Sequence, residues 1–263
     1  MAKIISIHSY RGGTGKSNLT ANLVTAIALA GKRVAIIDTD IQSPGIHNIF
    51  DLNATTINKT LNDYLWGNIP IEDTVYDVST TAGVNDKGKI FLIPSSSNVD
   101  AISRILSEGY NVNLLNQSCR QLIQSLQLDY LFIDTHPGLS KEVFLSIAIS
   151  HILIIILRPD RQDYQGTAVT VDLAKQLMVP QMMLLINKVV SGINLDNLKQ
   201  QIENTYQTKV GGIFPATEEM MRLGSNGIFC QLYPHHPWTN TLFQVANQII
   251  NNQLDQQNYL HNL

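Results

Sequence analysis

Two patterns alternate along the chain. Short, near-continuous runs of Ile, Leu and Val, such as Ile152 to Leu157, recur between longer stretches with apolar residues three and four apart. The first pattern predicts strands buried on both faces, and the second predicts amphipathic helices packed on a sheet. Strands are expected at Lys3–His8, Arg33–Asp38, Ile90–Pro94, Tyr130–Asp134, His151–Leu157, Met182–Asn187 and Val210–Phe214. Helices are expected at Lys16–Ala30, Asp100–Ser107, Asn113–Leu126, Lys141–Ile149, Gln165–Leu177, Leu195–Tyr206, Glu218–Leu223 and Thr239–Gln257. Gly31 suits the C-cap of the first helix. Thr55 to Lys89 is the least regular stretch, with a short helix expected around Leu61–Trp66. The βαβα order predicts an α/β fold: a doubly wound, mostly parallel sheet with helices on both faces. No repeat, linker or composition break divides residues 1–263, so a single domain is expected.

In such sheets ligands gather outside the carboxyl ends of the strands. The first strand is followed by Arg11-Gly12-Gly13-Thr14-Gly15-Lys16-Ser17 and then a helix that opens with Asn18. Three glycines let backbone N–H groups approach phosphate oxygens, and the helix N-terminus adds free donors and a positive dipole end. Lys16 suits the β/γ-phosphates, and the Ser17 hydroxyl suits Mg²⁺. The general phosphate-loop pattern has a further glycine five residues before Gly15; here that residue is Tyr10.

After the second strand come Asp38, Thr39 and Asp40. Two acids two residues apart, beside a triphosphate, suit metal-water coordination and water activation. They also suit a simple turn before Ser43-Pro44. After the fourth strand comes Asp134-Thr135-His136-Pro137-Gly138. An apolar run ending in Asp is the Walker B pattern, whose acid holds Mg²⁺. The Pro137-Gly138 turn suits a mobile segment that senses the terminal phosphate, and His136 reads as a bystander.

The loop resembles the deviant Walker A motif of the MinD/ParA family of P-loop ATPases, Lys-Gly-Gly-x-Gly-Lys-Ser/Thr, with Arg11 in place of the leading signature lysine. Asp134-x-x-Pro137-Gly138 is similar to that family's switch II. The resemblance extends to Asn187-Lys188 after the sixth strand and Phe214-Pro215 after the seventh. It implies that Asn187 hydrogen-bonds adenine, that Pro215 packs near the base, and that Pro159-Asp160 lines the base pocket or the dimer face. It implies ATP and Mg²⁺ as cofactors and a homodimer with ATP at its interface. In that dimer Arg11 would cross to the partner's phosphates. The implied set is Gly12, Gly13, Thr14, Gly15, Lys16, Ser17, Asn18, Asn187 and Pro215 for nucleotide binding. Lys16, Asp40 and Arg11 would serve catalysis, and Ser17, Asp40 and Asp134 the metal. The expected activity is slow ATP hydrolysis driving a dimerisation switch that positions a septum, DNA or a protein assembly, with an activating or adaptor protein as partner.

Composition narrows the read-out. Net charge is −3 and the tail after Arg222 holds no Lys or Arg. Direct membrane binding by a basic amphipathic tail is therefore not expected. Lys175, Lys188, Lys199, Lys209 and Arg222 are candidate cations for non-specific DNA. No apolar run is long enough to span a bilayer, and Met1-Ala2-Lys3 leads straight into a strand without a signal peptide, so a cytoplasmic location is expected. Cys119 and Cys230 are the only cysteines and are widely separated, which argues against the alternative of an electron-transfer or metal-carrier ATPase. A further alternative, an ATP-using small-molecule ligase, needs a substrate pocket that the sequence does not identify.

Overall fold

The structure is a computed structural model and describes residues 2–53, 55–85 and 87–254. Its elements in chain order are β1 (Lys3–His8), α1 (Lys16–Leu29), β2 (Arg33–Asp38), α2 (Ile46–Ile49) and α3 (Leu61–Leu65). A 3₁₀ turn (Ile71–Thr74) leads to β3 (Tyr76–Asp77), β4 (Lys89–Ile93), α4 (Val99–Glu108), α5 (Asn113–Ser125) and β5 (Tyr130–Asp134). Then come α6 (Lys141–Ala148), β6 (Ile152–Leu157), α7 (Arg161–Gln176), β7 (Gln181–Val189) and α8 (Leu195–Tyr206). β8 (Val210–Pro215), α9 (Glu218–Leu223), α10 (Phe229–Leu232) and α11 (Pro237–Ile250) complete it.

The eight strands lie in the order β3-β4-β2-β5-β1-β6-β7-β8. All pairs are parallel except β3 with β4. Strand residues alternate between faces, and both faces are buried. Val34 and Ile36 pack with Leu23, Ile27, Leu242 and Val245 of α1 and α11. Ala35 and Ile37 face the other way, onto Leu115, Cys119 and Leu122 of α5. Leu153 and Ile155 pack with Val143, Val171 and Ile202 of α6, α7 and α8. The expected doubly wound sheet is the observed one.

Helix α1 lies in the middle of one face, and every residue from Leu19 to Ala28 is buried. Its polar residues are satisfied within the helix: Thr20 and Thr25 hydroxyls donate to the carbonyls of Lys16 and Ala21, and Asn22 donates to that of Asn18. Gly31, with φ 85°, ends it by donating its N–H to Ala28.

Most boundaries fall within two residues of the expected ones. α7 begins four residues earlier, at Arg161, because Asp160 caps it by accepting from the N–H groups of Gln162 and Asp163. That first turn is polar, so apolar spacing does not reveal it. The last helix starts at Pro237, capped by His236, and stops at Ile250, before Asn252 turns left-handed at φ 54°. The rest of its expected span, residues 255–257, lies outside the described residues. The elements without an expectation, α2, the 3₁₀ turn, β3 and α10, have four residues or fewer, too few for a period to show.

One close approach fixes how β4 meets α1. A Cβ built on Gly88 would lie 2.0 Å from the Ala28 carbonyl oxygen, which is backbone and cannot swing aside. Gly88→Ala should destabilise the protein by at least about 1–3 kcal/mol, read as a lower urea midpoint. Gly67→Ala, where φ is 74° and no atom lies within 4 Å, should cost only about 1 kcal/mol of backbone strain. Equal effects at the two positions would refute the steric account.

Candidate functional site

The carboxyl ends of β1, β2 and β5 converge because β5 lies between the other two. Asp134 pairs in register with Ile7 on one side and Asp38 on the other. The loop after β1 therefore folds over the carboxylate that ends β5. Gly15, at φ 90°, is the N-cap of α1. That left-handed backbone favours glycine, and a Cβ there would also lie 2.5 Å from Asn187 Nδ2.

Asp134 is fully buried and is the centre of the site. Lys16 Nζ lies 2.8 Å from its Oδ1. The Ser17 hydroxyl donates to its Oδ2 at 2.7 Å, and the Thr20 hydroxyl to its Oδ1 at 3.1 Å. Thr39 donates its N–H and its hydroxyl to the Asp134 carbonyl. Ser17 and Asp134 thus present hard oxygen donors side by side, the kind that Mg²⁺ takes together with phosphate oxygens and water. Thr20 escaped the sequence reading, although it sits one helical turn after Lys16.

The two acids after β2 differ. Asp38 is buried; its Oδ1 accepts from the Asp40 N–H, and its Oδ2 has no partner among the described residues. Burial first, and then the Asp134 charge, hold its carboxyl well above the usual carboxylate range. Asp40 accepts from the Ser43 N–H and hydroxyl, both at 3.2 Å. Burial raises its carboxyl as well, with Lys16 pulling the other way. Pro44 and Gly45 separate this turn from α2, which starts at Ile46.

His8, beneath the loop, is buried, and burial followed by Lys16 pushes its imidazole down to about 3. The Thr135 hydroxyl donates to the Ile7 carbonyl, so His8 Nδ1 carries the proton that bridges the 2.8 Å to Thr135. It is a neutral structural histidine. His136 lines a separate cleft with Thr39, Gln42 and Tyr110.

Two adjoining cavities, each of about 260 Å³, share Gly15 and Asn18. The first is bounded by Gly12, Gly13, Thr14, Lys16, Ser17 and Asp40, with Pro137 at its edge. The second is more apolar and is bounded by Leu19, Asn187, Pro215, Met220 and Trp238. The structure therefore places the expected loop residues and Asp40 on one cavity and the expected base-side residues Asn187 and Pro215 on its neighbour, with Asp134 buried beneath Lys16 and Ser17. Asn187 Nδ2 donates to the Thr14 carbonyl at 2.8 Å, which leaves Oδ1 as its free acceptor.

Arg11, at the loop's entrance, donates to Gln162 on the first turn of α7 in the same chain. Tyr10 lies against Gly166, one turn further along α7, where a Cβ would come 2.1 Å from its ring. The residue that replaces the usual loop glycine thus anchors the loop to a neighbouring helix. Pairing of a bulky residue with a distant glycine leaves no local signal in sequence.

The cations considered for DNA are mostly engaged. Lys188 donates to the Gly13 carbonyl, Lys175 to that of Tyr206 and Lys209 to that of Gln253, and Arg222 pairs with Glu218. Cys119 and Cys230 are buried on opposite faces of the sheet, and burial pushes both thiols up to about 12. Among the described residues, no group of three His, Cys, Asp or Glu side chains is placed to hold a metal. No helix among them is long and apolar enough to cross a membrane.

Comparison with known proteins agrees with this architecture. The family model described as "AAA domain" matches residues 2–184. An ATP-binding protein of Methanocaldococcus jannaschii is 27% identical over 95% of this chain and 88% of its own. The iron-sulfur cluster carrier protein of the same organism is 28% identical over 68% of this chain, and the match spans only 59% of that relative's length. The septum site-determining protein MinD from Pyrococcus horikoshii, solved with Mg-ADP, superposes with a TM-score of 0.78 at 19% identity, covering 96% of this chain and 98% of that one. The chain belongs to the AAA-domain family of P-loop ATPases and has the MinD/ParA fold.

Proposed function

We propose that the protein is an ATP-driven dimerisation switch with slow hydrolysis. One observation carries the reading: Lys16, Ser17 and Thr20 converge on buried Asp134, and Lys16 and Ser17 line a cavity that adjoins a second one bounded by Asn187 and Pro215. The phosphates would lie in the cavity beside Lys16, and the base in the cavity beside Asn187. Ser17 and Asp134 would hold Mg²⁺, which supplies charge neutralisation of the phosphates. Lys16 would transfer from Asp134 to the phosphate oxygens and stabilise the charge that develops there. Asp40, on the wall of the phosphate cavity, would orient the attacking water. Arg11 would leave Gln162 and reach the nucleotide of a second copy, where its planar fork suits phosphate. The read-out would be placement of a cellular cargo through an adaptor protein.

A second reading has specific support. Several relatives are named as iron-sulfur carriers or assembly factors, so cluster transfer on this fold is the main alternative. Against it stand the two buried thiols, protonated and on opposite faces of the sheet. Iron and sulfide assay after anaerobic reconstitution separates the two. The switch reading expects no stoichiometric cluster, and a cluster retained through gel filtration would replace it with the carrier reading.

Lys16→Ala should weaken ATP binding at least about 100-fold by calorimetry, because a charge-assisted contact to phosphate is lost. It should also lower Tm, since buried Asp134 is left without its counter-ion. Asp40→Ala should bind ATP and form a nucleotide-dependent dimer, yet turn over about 100-fold more slowly. Tight ATP binding by the first variant, or wild-type turnover by the second, would refute these assignments.

Asn187 should set base preference. Its free Oδ1 accepts from the adenine N6 amino group and repels the guanine O6 acceptor. ATP should therefore bind more tightly than GTP, and Asn187→Ala should narrow the gap, as read from competition against a fluorescent ATP analogue. An unchanged ratio would assign base selection elsewhere.

A further inference from the structure

Asn187 and Lys188 are neighbours on β7, and neighbouring residues of a regular strand point to opposite faces. Here both side chains reach the phosphate loop. Asn187 donates to the carbonyl of Thr14, and Lys188 donates to the carbonyl of Gly13, each at 2.8 Å. Two departures from regular strand geometry make this possible. The pairing of β7 with β8 shifts register between Ile186 and Val189, and Lys188 itself takes a left-handed backbone at φ 57°. A non-glycine residue held there is disfavoured and persists only where its surroundings impose it.

The consequence follows from peptide planarity. In a trans peptide the C=O of one residue and the N–H of the next point in opposite directions. An ammonium that pulls the Gly13 carbonyl toward β7 therefore turns the Thr14 N–H away from β7. The Asn187 amide does the same for the Gly15 N–H through the Thr14 carbonyl. Neither N–H has an acceptor among the described residues, and Thr14 and Gly15 both line the phosphate cavity. Lys188 also lines the base cavity, next to Pro215 and Met220.

We propose that Lys188 is a positioning residue for polyphosphate binding: it holds the Gly13 carbonyl so that the Thr14 N–H faces the phosphates. Lys188 is then not a DNA-facing cation. It acts through the loop backbone, so its contribution is independent of the base. This inference rests on the nucleotide-binding reading above.

The test uses Mg·ATP and Mg·tripolyphosphate, a ligand without base or sugar, titrated by calorimetry into wild-type protein, Lys188→Met and Lys188→Arg. Methionine keeps the length of the stem and removes the ammonium. Lys188→Met should weaken both ligands by the same factor, about tenfold or more, as expected for loss of a charged hydrogen bond. Lys188→Arg should recover most of the loss, because the guanidinium still donates to the carbonyl. A loss for ATP with none for tripolyphosphate would overturn the proposal and leave Lys188 as a wall of the base pocket. Unchanged binding of both ligands by Lys188→Met would also overturn it, while leaving the nucleotide site intact. If wild-type protein binds neither ligand, the nucleotide reading itself fails.

Discussion

The arrangement depends on one buried carboxylate. Asp134 ends the strand that lies between β1 and β2, so whatever it binds is held at the centre of the sheet's edge. A carboxylate out of water is tolerated only if its charge is matched and its lone pairs are filled. Lys16 supplies the charge, and Ser17 and Thr20 add a hydrogen bond to each carboxylate oxygen. All three donors come from the first turns of α1, which ties the helix's start, and hence the loop before it, to β5. The phosphate loop is therefore held from beneath by an ion pair and not only by its glycines.

The same loop is held from its sides. Asn187 and Lys188 reach it from β7, and Tyr10 and Arg11 extend from it to α7. Each of these contacts joins the loop to an element far away in sequence. Movement of the loop on meeting a phosphate would therefore be felt by α7, and movement of the Pro137–Gly138 turn by α6, which begins three residues after Gly138. Such coupling between a ligand site and neighbouring helices is the mechanical requirement for a switch.

The legibility of this site in sequence follows the range of the interactions. The strands were readable because burial on both faces leaves unbroken Ile, Leu and Val, as in β6. The loop, Asp134 and the two acids after β2 were readable because each is a local motif at a strand end, where the fold collects chemistry. Residues that act through distant partners were not readable: Tyr10 needs Gly166, and Lys188 needs Gly13, and nothing in either segment names the other. Thr20 stood within reach of helical spacing, but a threonine in a buried helix is ordinarily satisfied by the carbonyl four residues back. Here its one hydroxyl proton is shared between the Lys16 carbonyl and Asp134.

Charge counting says why a nucleotide bound at this site would come with a metal. One ammonium, Lys16, faces three acids, Asp38, Asp40 and Asp134, in a buried setting. Burial already drives Asp38 toward its neutral form to lower that excess. A polyphosphate entering alone would bring further negative charge against these acids, and Lys16 cannot serve both Asp134 and the phosphates at full strength. Ser17 and Asp134 would hold a divalent cation there, which would supply the missing positive charge, and Lys16 would then be available to the phosphates. That charge balance involves the phosphate-loop core alone and would apply equally to a positioning switch and to a cluster carrier. What separates those functions lies on the surfaces and thiols around the core. In this chain both thiols are sealed inside it, on opposite faces of the sheet.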